Sequence, residues 1–452
     1  MAAGISNTDL RVQITNRQIL KIALPISLAM LVPQINFVTN NIFLSNLGET
    51  ILGTAGITGV FYLIFALIGN GLNSGLQSLI ARRAGENRPQ EIGKLFGQSI
   101  WMAMFFSVAG ILITYLFAPY FLKSSLHSSF VQTEAIRYLK IRIWGLPLLY
   151  LFQMCNAFLV GSNNSRYLKY GFFTGACINI FLDYVLINGH LGFPNLGFDG
   201  AAVASIIAEA VALLIVTSII FYKKMNQHFG LFTYLSFNKP LASLIFRQSS
   251  PLVLQWLLSV VAWMLFFILI EHYGPVPLAI SNIMRNIMGV FGIFSWAFAS
   301  TANAMVSNVI GQDKKDSVIL LVKKIMLLSA GFTIFLCLLI NIFPEMFLTI
   351  YHFNTEFIGE AIPVIRIVTA GLLCMSIATT WLNAVTGTGN TRVNLFIEIV
   401  AIIIYCIYLW LIMDVCKLSL AWAWTSEMLY WILIFTFSFF YIRSGKWKGK
   451  VI

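Results

Sequence analysis

Asp183 is the residue of this sequence best placed to do chemistry, because it is a carboxylic acid inside an apolar stretch, residues 166–188. A carboxylate in hydrocarbon is costly unless it is paired, solvated or neutralised. Burial favours the neutral form of a carboxyl group, so such an acid can take up and release a proton as its surroundings change. Asp183 falls roughly 17 residues into its stretch, about 25 Å along a helix. Asn179 stands one turn before it on the same face. Asn40 lies near the end of the stretch 19–44, and Ser205 several residues into the stretch 198–222. If all three stretches cross the same layer, these residues share one level and offer one carboxylate with three neutral oxygen donors. That set suits Na⁺, held chiefly by Asp183 and Asn179, or a hydrogen-bond cage around a protonated Asp183. Plainer readings stay open: Asp183 as an interhelical hydrogen bond or helix-end cap, Asn40 and Asn179 as glue between helices, Ser205 as part of the small-residue run "GAAVAS".

The elements that must position them are membrane spans. Of 452 residues, 59% are hydrophobic and 10% charged, against about 25% charged in soluble domains, which excludes a soluble globular enzyme. Long apolar stretches recur at 19–44, 53–80, 95–117, 131–160, 166–188, 198–222, 245–271, 276–310, 320–343, 357–386, 393–414 and 418–442. Each is long enough to cross the bilayer as a helix, some with tilt. The polar start up to Gln18 carries Asp9, Arg11 and Arg17 and lacks a signal-peptide core, so the first stretch reads as a retained span. Pro25 and Pro33 interrupt it and permit a kink, static or hinged. Of 29 Lys and Arg, 22 fall on one side of the spans and only Lys123 and Lys417 in the loops opposite. This predicts a multi-pass membrane protein with both termini cytoplasmic, and it makes the net charge of +12 a topology signal rather than a nucleic-acid surface.

The longest polar interruption, Lys223–Lys239, divides the chain into two halves. At one fixed offset of 226 residues Pro25 pairs with Pro251, Gly48 with Gly274, and Glu134-Ala135-Ile136 with Glu360-Ala361-Ile362. The same offset pairs Gly145 with Gly371 and "GSNNSR" at 161–166 with "GTGNTR" at 387–392. The expected fold is therefore an all-α membrane protein of twelve transmembrane helices in two pseudo-symmetric six-helix bundles with a central cleft. Its expected divisions are an N-lobe at 1–222, a cytoplasmic linker at 223–244 and a C-lobe at 245–452. Such a pair suits alternating access by a secondary transporter. No GxxxxGK[ST], HExxH or GxSxG motif occurs, and five scattered His cannot build a metal site, so no enzyme activity and no cofactor beyond a coupling ion is expected. The six Cys show no metal spacing and read as buried small hydrophobes.

The two-lobe plan, "LPISLAMLVPQINFVTNNIFLSNLGE" near the start, "NIFLDYVLI" followed by "NLGFDGAAVAS", and "VSNVIGQ" closing the eighth stretch together resemble the multidrug and toxic compound extrusion (MATE) family over essentially the whole chain. The resemblance implies a cation-coupled antiporter that exports amphipathic, often cationic compounds against H⁺ or Na⁺; a monomer is expected. It also implies that the Asn and Asp of "NIFLD" are cation-site positions. The position of Ser205 is commonly Thr in the family and that of Asn40 commonly Asp, so a two-acid mechanism does not carry over unchanged. Some relatives place C-lobe acids where this chain has approximately Ser259 and Met375, which puts coupling in the N-lobe. A lipid-linked oligosaccharide flippase of the wider superfamily is the alternative, favoured by longer polar cleft residues and extra helices. A non-transporting scaffold would need a sizeable soluble domain.

Arg285 and Glu427 each lie nine residues into their stretches from the same side, so an ion pair in the C-lobe is expected, structural or broken during transport. Glu209 and Glu398 read as buried hydrogen-bonding groups rather than substrate contacts. Tyr62, Met154, Met288 and Trp381, with Phe65, Phe158, Met284 and Phe291, are candidate cleft-lining residues for planar cations, or else ordinary core and lipid-facing side chains.

Overall fold

The computed structural model describes residues 9–349 and 355–450. Among them are twelve helices long and apolar enough to cross a membrane: α1 Asn16–Ser45, α2 Glu49–Gly85, α3 Pro89–Ser125, α4 Ser129–Gly161, α5 Ser165–Asn188 and α6 Gly197–Tyr222. The second set is α7 Lys239–Glu271, α8 Pro275–Gly311, α9 Lys315–Ile342, α10 Gly359–Gly387, α11 Thr391–Val415 and α12 Leu420–Ser444. Each apolar stretch of the sequence is one of them, several extended at their ends by polar turns. The outward faces are apolar, as lipid requires: Phe105, Leu116, Phe173, Leu327 and Phe396 are all exposed.

The 226-residue repeat is written into the backbone. Helices α2 and α8 start and end at that offset, and their N-caps Gly48 and Gly274 share φ near +105° (104° and 107°). Three further pairs of positive-φ residues stand at the same offset: Asn87 with Asp313, Asn163 with Gly389, and Leu191 with Lys417. Tight turns thus fall at matching places in both halves. The φ of Gly48 and Gly274 is one that L side chains rarely adopt.

Contacts divide the chain into two compact units. One comprises Met1–Leu10 and Leu28–Ser249, the other Arg11–Ser27 and Ser250–Ile452. The change of unit within α1 falls two residues after Pro25, and that within α7 just before Pro251. In the second unit the segment leading into α1 is tied down by side chains. Val12 N–H donates to Asn308 Oδ1 (3.1 Å), Gln312 Nε2 to Val12 O (2.9 Å) and Lys324 Nζ to Ile14 O (3.2 Å). In the first unit α5 and α6 approach closely through small residues: a Cβ on Gly171 would lie 2.5 Å from Val216, and one on Gly200 2.8 Å from the Leu186 carbonyl.

The cysteines depart from expectation. All six are free, but only Cys155 is buried, while Cys177 and Cys416 are exposed. A lipid-facing position and a core position both favour an apolar thiol, so the apolar surroundings in sequence did not separate them.

Candidate functional site

Helix α5 positions the acid. Residues 171, 175, 179, 183 and 187 are spaced by four, and each step of four residues overshoots a full turn by about 40°. Gly171 and Gly175 face α6, and Leu182 and Leu186 continue that contact against Val203 and Ala204. Asp183 is rotated by about 80° from Gly175 and leaves the α6 contact. One turn beyond it, Ile187 packs with Leu44 of α1 and with Phe198 and Ala201 of α6. Leu44 in turn stands one turn beyond Asn40 and two beyond Asn36. Both α1 and α5 are odd-numbered in an alternating series and run the same way. Two ladders, Asn36-Asn40-Leu44 and Asn179-Asp183-Ile187, therefore meet at their apolar rung and bring their polar rungs level.

Those polar rungs are unsatisfied. Asp183 is 1% exposed, and neither of its carboxyl oxygens has a hydrogen-bond partner. Asn179 is buried with Nδ2 unpartnered, and the Oδ1 atoms of Asn36 and Asn40 are buried without a donor. Buried polar atoms are nearly always paired, so a cluster of exceptions marks a candidate functional site. Tyr138 of α4 lies within electrostatic reach of Asp183, its ring stacked on Phe198 at 4.2 Å. Ser205 is half-buried on α6, between Ala201 and Glu209 on one face, with no polar contact to the other three among the described residues. No group of three or more His, Cys, Asp or Glu converges among the described residues.

One turn beyond Tyr138, Arg142 forms a bidentate pair with Glu209 of α6, Nη2 to Oε1 at 2.5 Å and Nη1 to Oε2 at 3.0 Å. The Tyr62 ring lies under its guanidinium at 3.9 Å. Tyr62, a candidate for the cleft, is thus engaged by an ion pair. Arg142 stands 13 residues from the start of α4 and Glu209 12 from the start of α6. The same depth count that suggested Arg285 with Glu427 would have found this pair. Likewise the i, i+4 spacing of Asn36 and Asn40 was the available signal for Asn36.

The expected ion pair of the second unit is absent among the described residues. Glu427 lies on the buried face of α12 with Ala423, Trp424 and Trp431, and accepts from Trp263 Nε1 (2.9 Å) and Tyr405 Oη (3.3 Å). Arg285 projects from the exposed face of α8 over the Phe267 ring, 5.3 Å from its centroid. Equal depth did not guarantee equal azimuth. Glu398 is buried in a hydrogen-bonded cluster, accepting from Ser259 Oγ (2.6 Å), Gln255 Nε2 (3.2 Å) and Tyr430 Oη. Three cleft candidates prove to be core: Met154 and Trp381 are each 1% exposed and Met288 is buried. Trp381 donates Nε1–H to Met326 Sδ at 3.2 Å. Large polarizable side chains fill cores as readily as clefts, and core packing is the plainer of the two readings the sequence left open for them.

Helix α1 continues through both Pro25 and Pro33. Pro25 lies in the segment grouped with the second unit and Pro33 in that grouped with the first.

Comparison with known proteins adds three findings. The family model MatE matches residues 25–185 and 251–411, two stretches displaced by the 226-residue offset seen in the sequence. The chain is 22% identical over 396 residues to a probable multidrug resistance protein NorM of Synechocystis, covering 85% of each, and 23% identical over 445 residues to one of Thermotoga maritima, covering 96% of this chain and 94% of that one. Among solved structures, a MOP superfamily transporter from Pyrococcus furiosus, described as having a binding pocket of reversed polarity, superposes with TM-score 0.89 at 17% identity over 100% of both chains.

Proposed function

The chain belongs to the MatE family, and from that premise we propose that it is a secondary multidrug exporter, moving amphipathic, often cationic compounds outward in exchange for inward H⁺ or Na⁺. The relatives named as multidrug resistance proteins support the substrate class. The observation that carries the coupling role is Asp183, a deeply buried carboxyl group in a membrane span with both oxygens unpartnered.

With H⁺ as the coupling ion, protonation removes the charge of Asp183 and gives it an O–H that can donate to the amide oxygen of Asn40 or Asn36. With Na⁺, the carboxylate and those amide oxygens supply hard oxygen ligands. Either ion satisfies atoms that otherwise have no partner, so loading the site stabilises one arrangement of α1 against α5. Unloading restores the unsatisfied set and favours another arrangement, which is the differential a coupled transporter needs. Ser205 belongs to the outer margin of the same site. Bending at Pro25 would carry the change along α1. The reading includes an inner-membrane location with both termini cytoplasmic, a monomer, lobes at 1–222 and 245–452, and alternating access.

Susceptibility of a host lacking its own efflux pumps tests this. Expression of the intact chain raises tolerance to cationic dyes, and Asp183→Asn at equal membrane abundance removes that gain. Equal tolerance from both would overturn the role of Asp183.

A further inference from the structure

The second unit contains buried acids that the exchange reading does not use. Glu398 and Glu427 are 1% and 3% exposed, and every hydrogen bond shown to them comes from a neutral donor. Helix α7 braces both, through Gln255 and Ser259 to Glu398 and through Trp263 to Glu427. Helices α11 and α12 cross-brace them: Tyr430, three residues after Glu427 on α12, donates to Glu398, and Tyr405 of α11 donates to Glu427. No ion pair engages either acid among the described residues, so this part of the bundle holds acids and no bonded cation.

A second, independent feature stands beside Glu398. Asn394 precedes it by one turn on α11, is 2% exposed, and spends its amide nitrogen on Gln255 Oε1 and Thr386 Oγ1, both at 3.0 Å. Its Oδ1 is buried with no donor. An unsatisfied carbonyl oxygen and a carboxyl group on one helical face both seek the same guest, a positively charged group bearing N–H bonds. Aromatic rings border that face. Tyr430 meets Tyr405 at 5.7 Å and Trp431 at 4.7 Å, and Trp296 meets Trp431 at 6.4 Å and Trp256 at 5.0 Å. Trp256, Trp296 and Tyr430 are half-buried. Cation–π attraction adds to carboxylate pairing when the site is desolvated.

We propose that Glu398 and Asn394, bordered by Tyr430, Trp431 and Trp296, bind the protonated amine of an amphipathic aromatic cation. This rests on the exporter reading and names the substrate class of its second unit. The amine displaces part of the neutral donor set on Glu398, donates to Asn394 Oδ1, and lays its ring against the indoles. Glu427, braced through the same α7, supplies a second acidic group nearby.

Equilibrium binding to the purified full-length protein, without any ion gradient, tests the proposal. The probes are 9-aminoacridine, a planar cation with N–H bonds, and acridine, the same ring kept uncharged at slightly alkaline pH. Glu398→Gln weakens 9-aminoacridine binding about tenfold or more, and Asn394→Ala several-fold. Neither changes acridine binding. Unchanged 9-aminoacridine affinity in Glu398→Gln overturns the proposal, as does equal loss of both probes or an absence of saturable binding by the parent. Displacement of the cation by NaCl but not by choline chloride would assign Glu398 to a metal ion and also overturn it. Any of these results, obtained alongside Asp183-dependent exchange in vesicles, leaves the exporter reading standing. Vesicle flux indifferent to Asp183 would instead sink that reading.

Discussion

Gly145→Ala is the substitution whose effect follows most directly from packing. Gly145 closes the 3₁₀ turn that follows Arg142, and an added Cβ would sit well inside van der Waals distance of both Arg142 Nη1 and Glu209 Oε2. Ordinary contact needs roughly 3.5 Å, so each group must retreat by about 1 Å. Such a shift takes the 3.0 Å bond of Nη1 beyond hydrogen-bonding range and strains its 2.5 Å companion. Breaking a buried pair by deleting one partner costs about 3–5 kcal/mol. Displacing it, with one bond lost and Tyr62 still stacked, should cost about 2–3 kcal/mol on the same scale. The opposing term is small, since Ala in place of Gly stabilises a helix by up to about 1 kcal/mol. Thermal unfolding in detergent should therefore show a lower midpoint for Gly145→Ala. In an Arg142→Met, Glu209→Leu background, where no pair remains to displace, the same substitution should be neutral or raise the midpoint, and the cycle isolates the coupling. A midpoint unchanged or raised in the parent would refute the assignment of Gly145 as the space that admits the ion pair.

Arg285→Ala should alter stability by no more than about 0.5 kcal/mol, because the side chain is exposed and unpaired with Glu427. A loss near that of a broken buried pair, read by the same unfolding assay, would restore the pairing inferred from depth. Gly171→Leu should destabilise by about 1–3 kcal/mol or force α5 from α6, since Val216 already lies 2.5 Å from where a Cβ would stand. A Leu variant that unfolds with the parent would contradict that close approach. Cys416 is free and exposed beside Lys417, in the loop the charge count puts outside. A variant retaining Cys416 alone should react with a membrane-impermeant maleimide in intact cells, and labelling only after lysis would reverse the proposed orientation.

How much of this was legible beforehand depended on whether a property runs along the helix or around it. Span length, span number and the 226-residue repeat are properties along the chain, and hydropathy with one fixed offset found them. The left-handed pairs Asn87 with Asp313 and Asn163 with Gly389 are their backbone counterpart. Asp183 was visible because an acid in an apolar run is rare. Rotation about the helix axis was less visible: Arg285 and Glu427 share a depth but face different ways, whereas Arg142 and Glu209 share a depth and meet. Membrane helices also lack the polar exterior that marks faces in soluble proteins. Apolar residues such as Met154, Trp381 and Cys177 could equally have lain in core, cleft or lipid. Neighbouring spans only become known once folded, so the bracing of Glu398 by Ser259, a position read as the loss of an acid, was out of reach.

The proposed role of Asp183 is to carry the exchanged ion. Its most direct test is ion flux in proteoliposomes loaded with a cationic dye, with H⁺ and Na⁺ gradients imposed separately and dye exit followed together with ion entry. One of the two gradients should drive dye exit with matching ion entry, and Asp183→Asn should abolish both while remaining folded and still binding dye. Matching fluxes in Asp183→Asn and the parent would contradict that role.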